Sequence, residues 1–164
     1  MPSLDKLRSL VKRFNLSDQY GTTGEEKWIA LFRTLTANRT PLSGRINDEY
    51  RTKIFAHIDV TASQDDGAKK KISEADWAKV SSLLKNIVDG KVFYITEHGY
   101  LGFAEESCQK GDDVYVFCGG EVPFIVRLIG EGLFAFHGET YVHGLMDGEV
   151  MQWKNLKLER LNLK

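Results

Sequence analysis

At Gly90 the hydrophobic period of this chain changes, and that change constrains its fold more than any other feature. Up to Asp89 the apolar residues recur at helical spacing, whereas beyond Gly90 they alternate or cluster in short runs broken by glycine. Charge divides at the same place: residues 1–90 hold 15 basic and 12 acidic side chains, and residues 91–164 hold 7 and 11. The expected architecture is α+β. An N-terminal helical layer, residues 1–90, packs on a small antiparallel β-barrel, residues 91–164, SH3-like or of a similar meander, and the two make one compact unit. A chain of 164 residues is long enough to bury such a core.

About four helices are expected in the first part. Leu4, Leu7, Leu10, Val11 and Phe14 make one stripe, with Lys6, Arg8, Lys12 and Arg13 on a solvated face. A second helix begins at Thr23, where Thr23 and Glu26 can form a capping box. Trp28, Ile29, Leu31, Phe32 and Leu35 form its apolar face, and it stops near Ala37-Asn38. A third runs from Asp48 to Ile58 behind Asn47 as N-cap. Residues 61–71 lack any large apolar side chain and read as a mobile loop, with Lys69-Lys70-Lys71 as solvated charge. Ser73 caps the fourth helix, whose inner face is Trp77, Val80, Leu83, Leu84, Ile87 and Val88, and Gly90 provides its left-handed stop.

Strands follow at Lys91–Thr96, Tyr100–Ala104, Val114–Cys118, Val122–Ile129, Leu133–His137 and Thr140–His143, with a last one around Val150–Leu156. Short strands with glycine turns every ~8–12 residues describe an antiparallel meander. Gly99, Gly102, Gly111, Gly138, Gly144 and Gly148 mark places where tight turns need positive φ.

Several functions are disfavoured. The net charge of −1 argues against a generally basic nucleic-acid binder, and the acidic second part repels phosphate. No apolar run approaches the roughly 18 residues of a membrane span. Met1-Pro2-Ser3-Leu4-Asp5-Lys6 lacks a secretory signal, so the cytoplasm is the expected compartment. Cys108 and Cys118 read as two free thiols, the alternative being a bridge between neighbouring strands. No Walker loop, dinucleotide fingerprint or G-x-S-x-G elbow occurs.

The densest polar cluster is His137-Gly138-Glu139-Thr140-Tyr141-Val142-His143 with Asp147 and Glu149. On a strand His137, Glu139, Tyr141 and His143 share one parity and could face one way. Two imidazoles and a carboxylate suit a divalent metal in principle, but the spacing is not His-Glu-x-x-His, and no metal, cofactor or catalytic residue is assigned. Arg127, alone in an apolar strand, either turns inward to Glu139 or Glu149 or lies on the solvent face. The candidate binding residues are Arg127, His137, Glu139, Tyr141, His143, Asp147 and Glu149.

From residue 99 onward the chain resembles the C-terminal region of fungal heterokaryon-incompatibility (HET-domain) proteins. The resemblance rests on Gly99-Tyr100-Leu101-Gly102, Gly111-Asp112-Asp113-Val114, Val122-Pro123-Phe124-Ile125-Val126-Arg127 and the run from Gly138 to Glu149. Upstream, Thr23-Gly24-Glu25, Trp28, Phe32-Arg33-Thr34-Leu35 and Asn38-Arg39 resemble the helical segment of the same proteins. The resemblance implies self/non-self recognition and control of programmed cell death when fungal hyphae fuse. It implies the C-terminal module alone, without the HET domain that executes toxicity. The expected function is therefore a non-enzymatic recognition or regulatory module that binds a protein partner or that absent effector domain. The alternative is a small metal-dependent hydrolase or ligand sensor centred on His137–Glu149. Neither nucleic acid nor membrane is expected as partner, and the oligomeric state is not readable.

Overall fold

In a computed structural model, residues 19–21, 23–39, 44, 73, 75, 78–79, 81–82, 85 and 89–164 are described. The expected helices at 4–14 and 48–58 and the loop at 61–71 lie outside them. Of the fourth helix, the described positions between Ala75 and Lys85 are helical. The Asp89 N–H donates to Lys85 O at 3.0 Å, and Gly90 turns left-handed at φ +68°.

Helix α1 spans Lys27–Leu35 and buries Ile29, Leu31, Phe32 and Leu35, as its apolar spacing requires. The capping box does not form. Glu26 is the N-cap residue without a side-chain cap, while Thr23 Oγ1 donates to Glu25 Oε1 at 2.8 Å. Glu25 competes for the hydroxyl because its carboxylate is held in a tertiary network. The helix ends in two consecutive left-handed residues, Ala37 and Asn38, at φ 50° and 53°.

Seven strands follow: β1 Lys91–Ile95, β2 Leu101–Glu105, β3 Asp113–Val116, β4 Pro123–Gly130, β5 Leu133–Glu139, β6 Tyr141–Val142 and β7 Asn162–Leu163. Six of them fall where alternation and glycine turns predict strands. The seventh does not: residues Glu149–Gln152 form a 3-10 turn, and the last strand is Asn162–Leu163, parallel to β5. The strands make two sheets, ordered β1-β2-β6 and β3-β4-β5-β7. A barrel closed by one continuous ladder is therefore not formed among the described residues. The short last strand joins β5, and among the described residues β1 and β3 are each the end strand of their sheet.

The core lies between the two inner faces. Tyr100, Val142, Leu145 and Val150 are buried there, with Tyr94, Val114 and Val116 packed against them. Thr140 carries the chain from one sheet to the other. Its N–H donates to Pro123 O at 2.9 Å, its hydroxyl donates to Phe103 O at 2.8 Å, and the same oxygen lies 2.7 Å from the Tyr94 hydroxyl. Thr140 has a single hydroxyl hydrogen, which goes to Phe103 O, so the Tyr94 hydroxyl is the donor to Thr140 Oγ1. Replacing Thr140 by Val keeps the shape and strands both partners. Urea denaturation of Thr140→Val is expected to show a loss of about 1–3 kcal/mol.

Five of the six glycines expected at positive φ have it: Gly99, Gly111, Gly138, Gly144 and Gly148. Gly102 does not, and its reason is different. It lies within β2 opposite Tyr94 of β1 and Val142 of β6. A Cβ there would fall 2.5 Å from Tyr94 Cζ and 2.6 Å from Tyr141 O. The residue is needed for close approach, not for a turn.

Candidate functional site

Two concave regions flank the β layers. The first is a polar cleft of about 730 Å³, where the end of α1 meets the β6 turn; Arg33, Asn38, Tyr141, His143 and Asp147 are among its walls. Its centre is His143, which is 5% exposed. The imidazole lies between two aromatic rings, Tyr20 at 5.4 Å and Tyr141 at 6.4 Å between centroids. Its Nε2 bonds the Glu25 carboxylate and its Nδ1 lies 3.2 Å from the Tyr141 hydroxyl. A carboxylate only accepts, so Nε2 carries the proton it shares with Glu25. Arg33 completes the chain, donating from NH1 to Glu25 Oε2 at 2.8 Å.

Burial opposes the charge on Glu25. The hydrogen bonds from His143 and Thr23, with the positive charges beside it, outweigh that and hold the carboxyl below the ordinary carboxylate range. Burial pushes the Tyr141 phenol upward, so it is not an activated nucleophile. The backbone is tied as firmly. Tyr20 donates its hydroxyl to His143 O at 2.9 Å and accepts the Leu101 N–H at 3.0 Å. The residues preceding α1 are thereby locked to β2 and to the segment after β6. Two buried atoms on this wall, Arg33 Nε and Asn38 Oδ1, have no hydrogen-bond partner among the described residues.

The seven residues singled out from sequence separate into two groups. Glu139, Tyr141, His143, Asp147 and Glu149 all line the cleft, whereas Arg127 and His137 do not. The expected common face for His137, Glu139, Tyr141 and His143 is not formed. The β4–β5 register shifts between Ile125 and Val126, where Phe136 and Gly138 are the facing residues and His137 is the extra one. Such a bulge resets the side-chain alternation and takes His137 out of the set, while Glu139, Tyr141 and His143 stay together in the cleft. Glu149 Oε2 accepts the Asp147 N–H at 2.7 Å and so stabilises its own turn.

Arg127 pairs with neither Glu139 nor Glu149. It makes a two-pronged bridge to Asp112, Nε to Oδ1 at 2.6 Å and NH2 to Oδ2 at 2.8 Å, and also donates to Ser107 O at 2.8 Å. The Arg127 hydrogen bonds hold the Asp112 carboxyl below its ordinary range, against a smaller opposing effect of burial. His137 adds a further favourable charge interaction. A carboxyl lowered on folding stabilises the fold above its unfolded pKa, near 4, and ceases to do so as the pH falls through its folded value. Urea midpoints should therefore drop below about pH 4, and Asp112→Asn should flatten that drop by up to one proton.

Cys108 and Cys118 are both free, and burial with Asp112 nearby pushes the Cys108 thiol upward. Among the described residues no three His, Cys, Asp or Glu side chains converge as metal ligands. No described helix is long and apolar enough to cross a membrane.

The second region is a larger, mainly apolar groove of about 1600 Å³ between β1 and β3. Val92, Ile95, Val114, Val116 and Trp153 are among its walls, and residues 156–158 run along its rim. Large apolar side chains stay exposed at its mouth: Ile95, Met151, Trp153 and Leu158, the last 76% exposed.

Sequence reasoning missed Arg33 as a cleft residue, and Tyr20 and Glu25 as the groups that hold His143 from behind the cleft. Their only signal was membership, for Glu25 and Arg33, in the short blocks that carried the family resemblance; the structure shows both blocks converging on His143.

A two-sheet β layer bearing a helix and a polar cleft defines the class, and comparison with known proteins supplies the family. The Het-6 beta-barrel domain matches residues 27–158, and the chain belongs to that family. Heterokaryon incompatibility protein 6, OR allele, of Neurospora crassa is 42% identical over 66 residues, which make up 38% of this chain and 10% of that protein. The chain thus matches about a tenth of the length of its curated relative. No solved structure matches.

Proposed function

We propose that the chain is a non-enzymatic recognition module of the heterokaryon-incompatibility system, acting in the cytoplasm in self/non-self discrimination and the control of cell death. Its partner is a protein, either a separate chain or an effector domain of the same family. The observation that carries this reading is the open apolar groove between β1 and β3 with Ile95, Met151, Trp153 and Leu158 exposed around it. Contiguous exposed apolar surface of this kind marks contact with another macromolecule. The polar cleft supports it from the other side. Glu25, Arg33 and Tyr141 are bonded in one chain around the buried His143, which suits a structural clasp better than acid–base work on a substrate.

The test is calorimetric titration of the chain with a separately produced effector domain of the family. Saturable binding is expected, weakened at least tenfold by Met151→Asp or Ile95→Asp. Absence of binding, or binding indifferent to both changes, would overturn the reading.

A small-ligand sensor is the second reading, favoured by the unpartnered Arg33 Nε and Asn38 Oδ1 on the cleft wall. A metal-dependent hydrolase has less support, since His137 lies outside the cleft that holds His143.

A further inference from the structure

The hairpin of β4 and β5 carries an apolar face of its own. Leu128 stands opposite Phe134 in the ladder, and Val126 opposite Phe136. Cross-strand partners point the same way, as do positions two apart, so Leu128, Phe134 and Phe136 share one face. Phe124 continues it: its ring lies 5.3 Å from that of Phe136 and 5.2 Å from that of Phe117. Neither concave region takes in Phe124, Leu128 or Phe136, and none of the three belongs to the buried core. Leu128 is 57% exposed and Phe136 47%. Contiguous apolar side chains left in water on a strand pair mark a contact surface.

Carboxylates stand at both ends of this face. Glu139 faces Phe124 across the ladder, Glu121 lies just before β4, and Glu131 lies in the turn between β4 and β5. Glu121 and Glu139 also line the polar cleft, so the apolar strip runs up to the cleft rim. Residues 121–139 hold these three carboxylates and one cation, Arg127, which is committed to Asp112. Among the described residues none of the three carboxylates is hydrogen-bonded or ion-paired. Uncompensated charge of one sign beside an apolar face selects a partner of the other sign.

The geometry suits a helix. A strand docks through the main chain at a sheet edge, whereas this face offers side chains alone. An α-helix satisfies its own backbone hydrogen bonds and can lay an apolar stripe on such a face without burying unpaired amides. Helix residues three and four apart stand about 5–6 Å from one another, which matches the ring spacings from Phe117 to Phe124 and from Phe124 to Phe136.

We infer that this outer face of the β4–β5 hairpin is a docking surface for a basic amphipathic helix of a partner protein. The apolar stripe of the helix lies on Phe124, Phe136 and Leu128, and its Lys and Arg residues reach Glu121, Glu139 and Glu131. The surface is separate from the groove between β1 and β3 and does not depend on the role assigned to that groove.

The probe is a fluorescein-labelled peptide of leucine and lysine with the leucines at helical spacing, titrated with the full chain and followed by anisotropy. Saturable binding is expected, weakened about tenfold by Phe136→Asp or by Leu128→Asp, although each adds a charge that attracts lysine. Glu121→Gln with Glu139→Gln should weaken binding and flatten its salt dependence. Glu97→Gln with Glu106→Gln removes the same charge elsewhere and should leave binding unchanged. Circular dichroism checks that each variant is folded. A peptide with glutamate in place of lysine should not bind, and one of the same composition with leucines at alternate positions should bind about tenfold more weakly. No binding of the helical peptide, or binding indifferent to both Phe136→Asp and Leu128→Asp, would overturn the surface. Tighter binding of the alternating peptide would overturn the helix in favour of an extended partner. Dimerisation of the chain in sedimentation, abolished by Phe136→Asp, would give the face to a second copy instead.

Discussion

Gly102→Ala is expected to lower stability by about 3 kcal/mol, although it adds one methyl group to a strand residue. Alanine has the higher strand propensity, and Gly102 has no positive φ, so propensity alone predicts a neutral or favourable change. Packing decides otherwise. The new Cβ would lie 2.5 Å from Tyr94 Cζ and 2.6 Å from the Tyr141 carbonyl oxygen. Tyr94 cannot simply swing away, because its hydroxyl is bonded to Thr140 at the point where the chain changes sheets. The Tyr141 carbonyl belongs to β6, which is paired with β2 through Gly102 and Phe103. The clash thus presses on both neighbours of β2 at once. Urea denaturation measures it, and a loss below about 1 kcal/mol would show that the two neighbours give way easily. Gly99→Ala supplies a contrast: that turn has open space for a Cβ but φ +83°, so its cost is backbone strain of about 1–2 kcal/mol.

Tyr20→Phe is the second large effect, expected to cost about 2–4 kcal/mol from the loss of a single oxygen. That hydroxyl donates to His143 O and accepts from Leu101 N–H, and Tyr20 is only 2% exposed. Phenylalanine fills the same volume, so almost no packing is lost. What remains is one unpaired backbone donor and one unpaired acceptor in the interior, each costing about 1–3 kcal/mol. The larger consequence is positional. Tyr20 and Glu25 are the described groups that fasten the segment before α1 to His143. In Tyr20→Phe, amide exchange at Leu101 should accelerate while the amides of β3 and β4 remain protected. Equal acceleration everywhere would mean that the bond serves global stability alone.

Strand existence was legible because alternation and glycine punctuation are local properties. Lys91–Ile95, Pro123–Gly130 and their neighbours lie where the pattern places them. The turn at Gly99 was equally legible, since a left-handed glycine needs no distant partner. Sheet membership was not legible. Six strands and a short seventh can close as one meander or divide into two sheets, and alternation is identical in both. The candidate site was half legible for the same reason. Glu139, Tyr141 and His143 stood out as polar residues of one parity and do share the cleft, but the bulge at His137 takes that residue out of the set.

Arg127 illustrates how partner choice escapes local reading. A lone arginine in an apolar strand announces that it needs an acceptor. Which carboxylate answers depends on how the loop before β3 folds back, and Asp112, not Glu139 or Glu149, arrives with both oxygens in place. Glu25 is the converse case. Its position near a helix start suggested capping chemistry for its neighbours, yet it is spent on a histidine 118 residues away.

The chain's sequence by itself determined that a helical part gives way to strands at Gly90, where the strands begin, and five glycines that turn the chain. Those properties depend on hydrophobic period and backbone sterics, which act within a few residues. The tertiary structure alone decided that the described strands form two sheets, that Glu25, His143 and Tyr141 share one bonded network, and that an apolar groove lies between β1 and β3. These depend on which distant groups reach one another, and contacts of that kind leave no local periodicity to read.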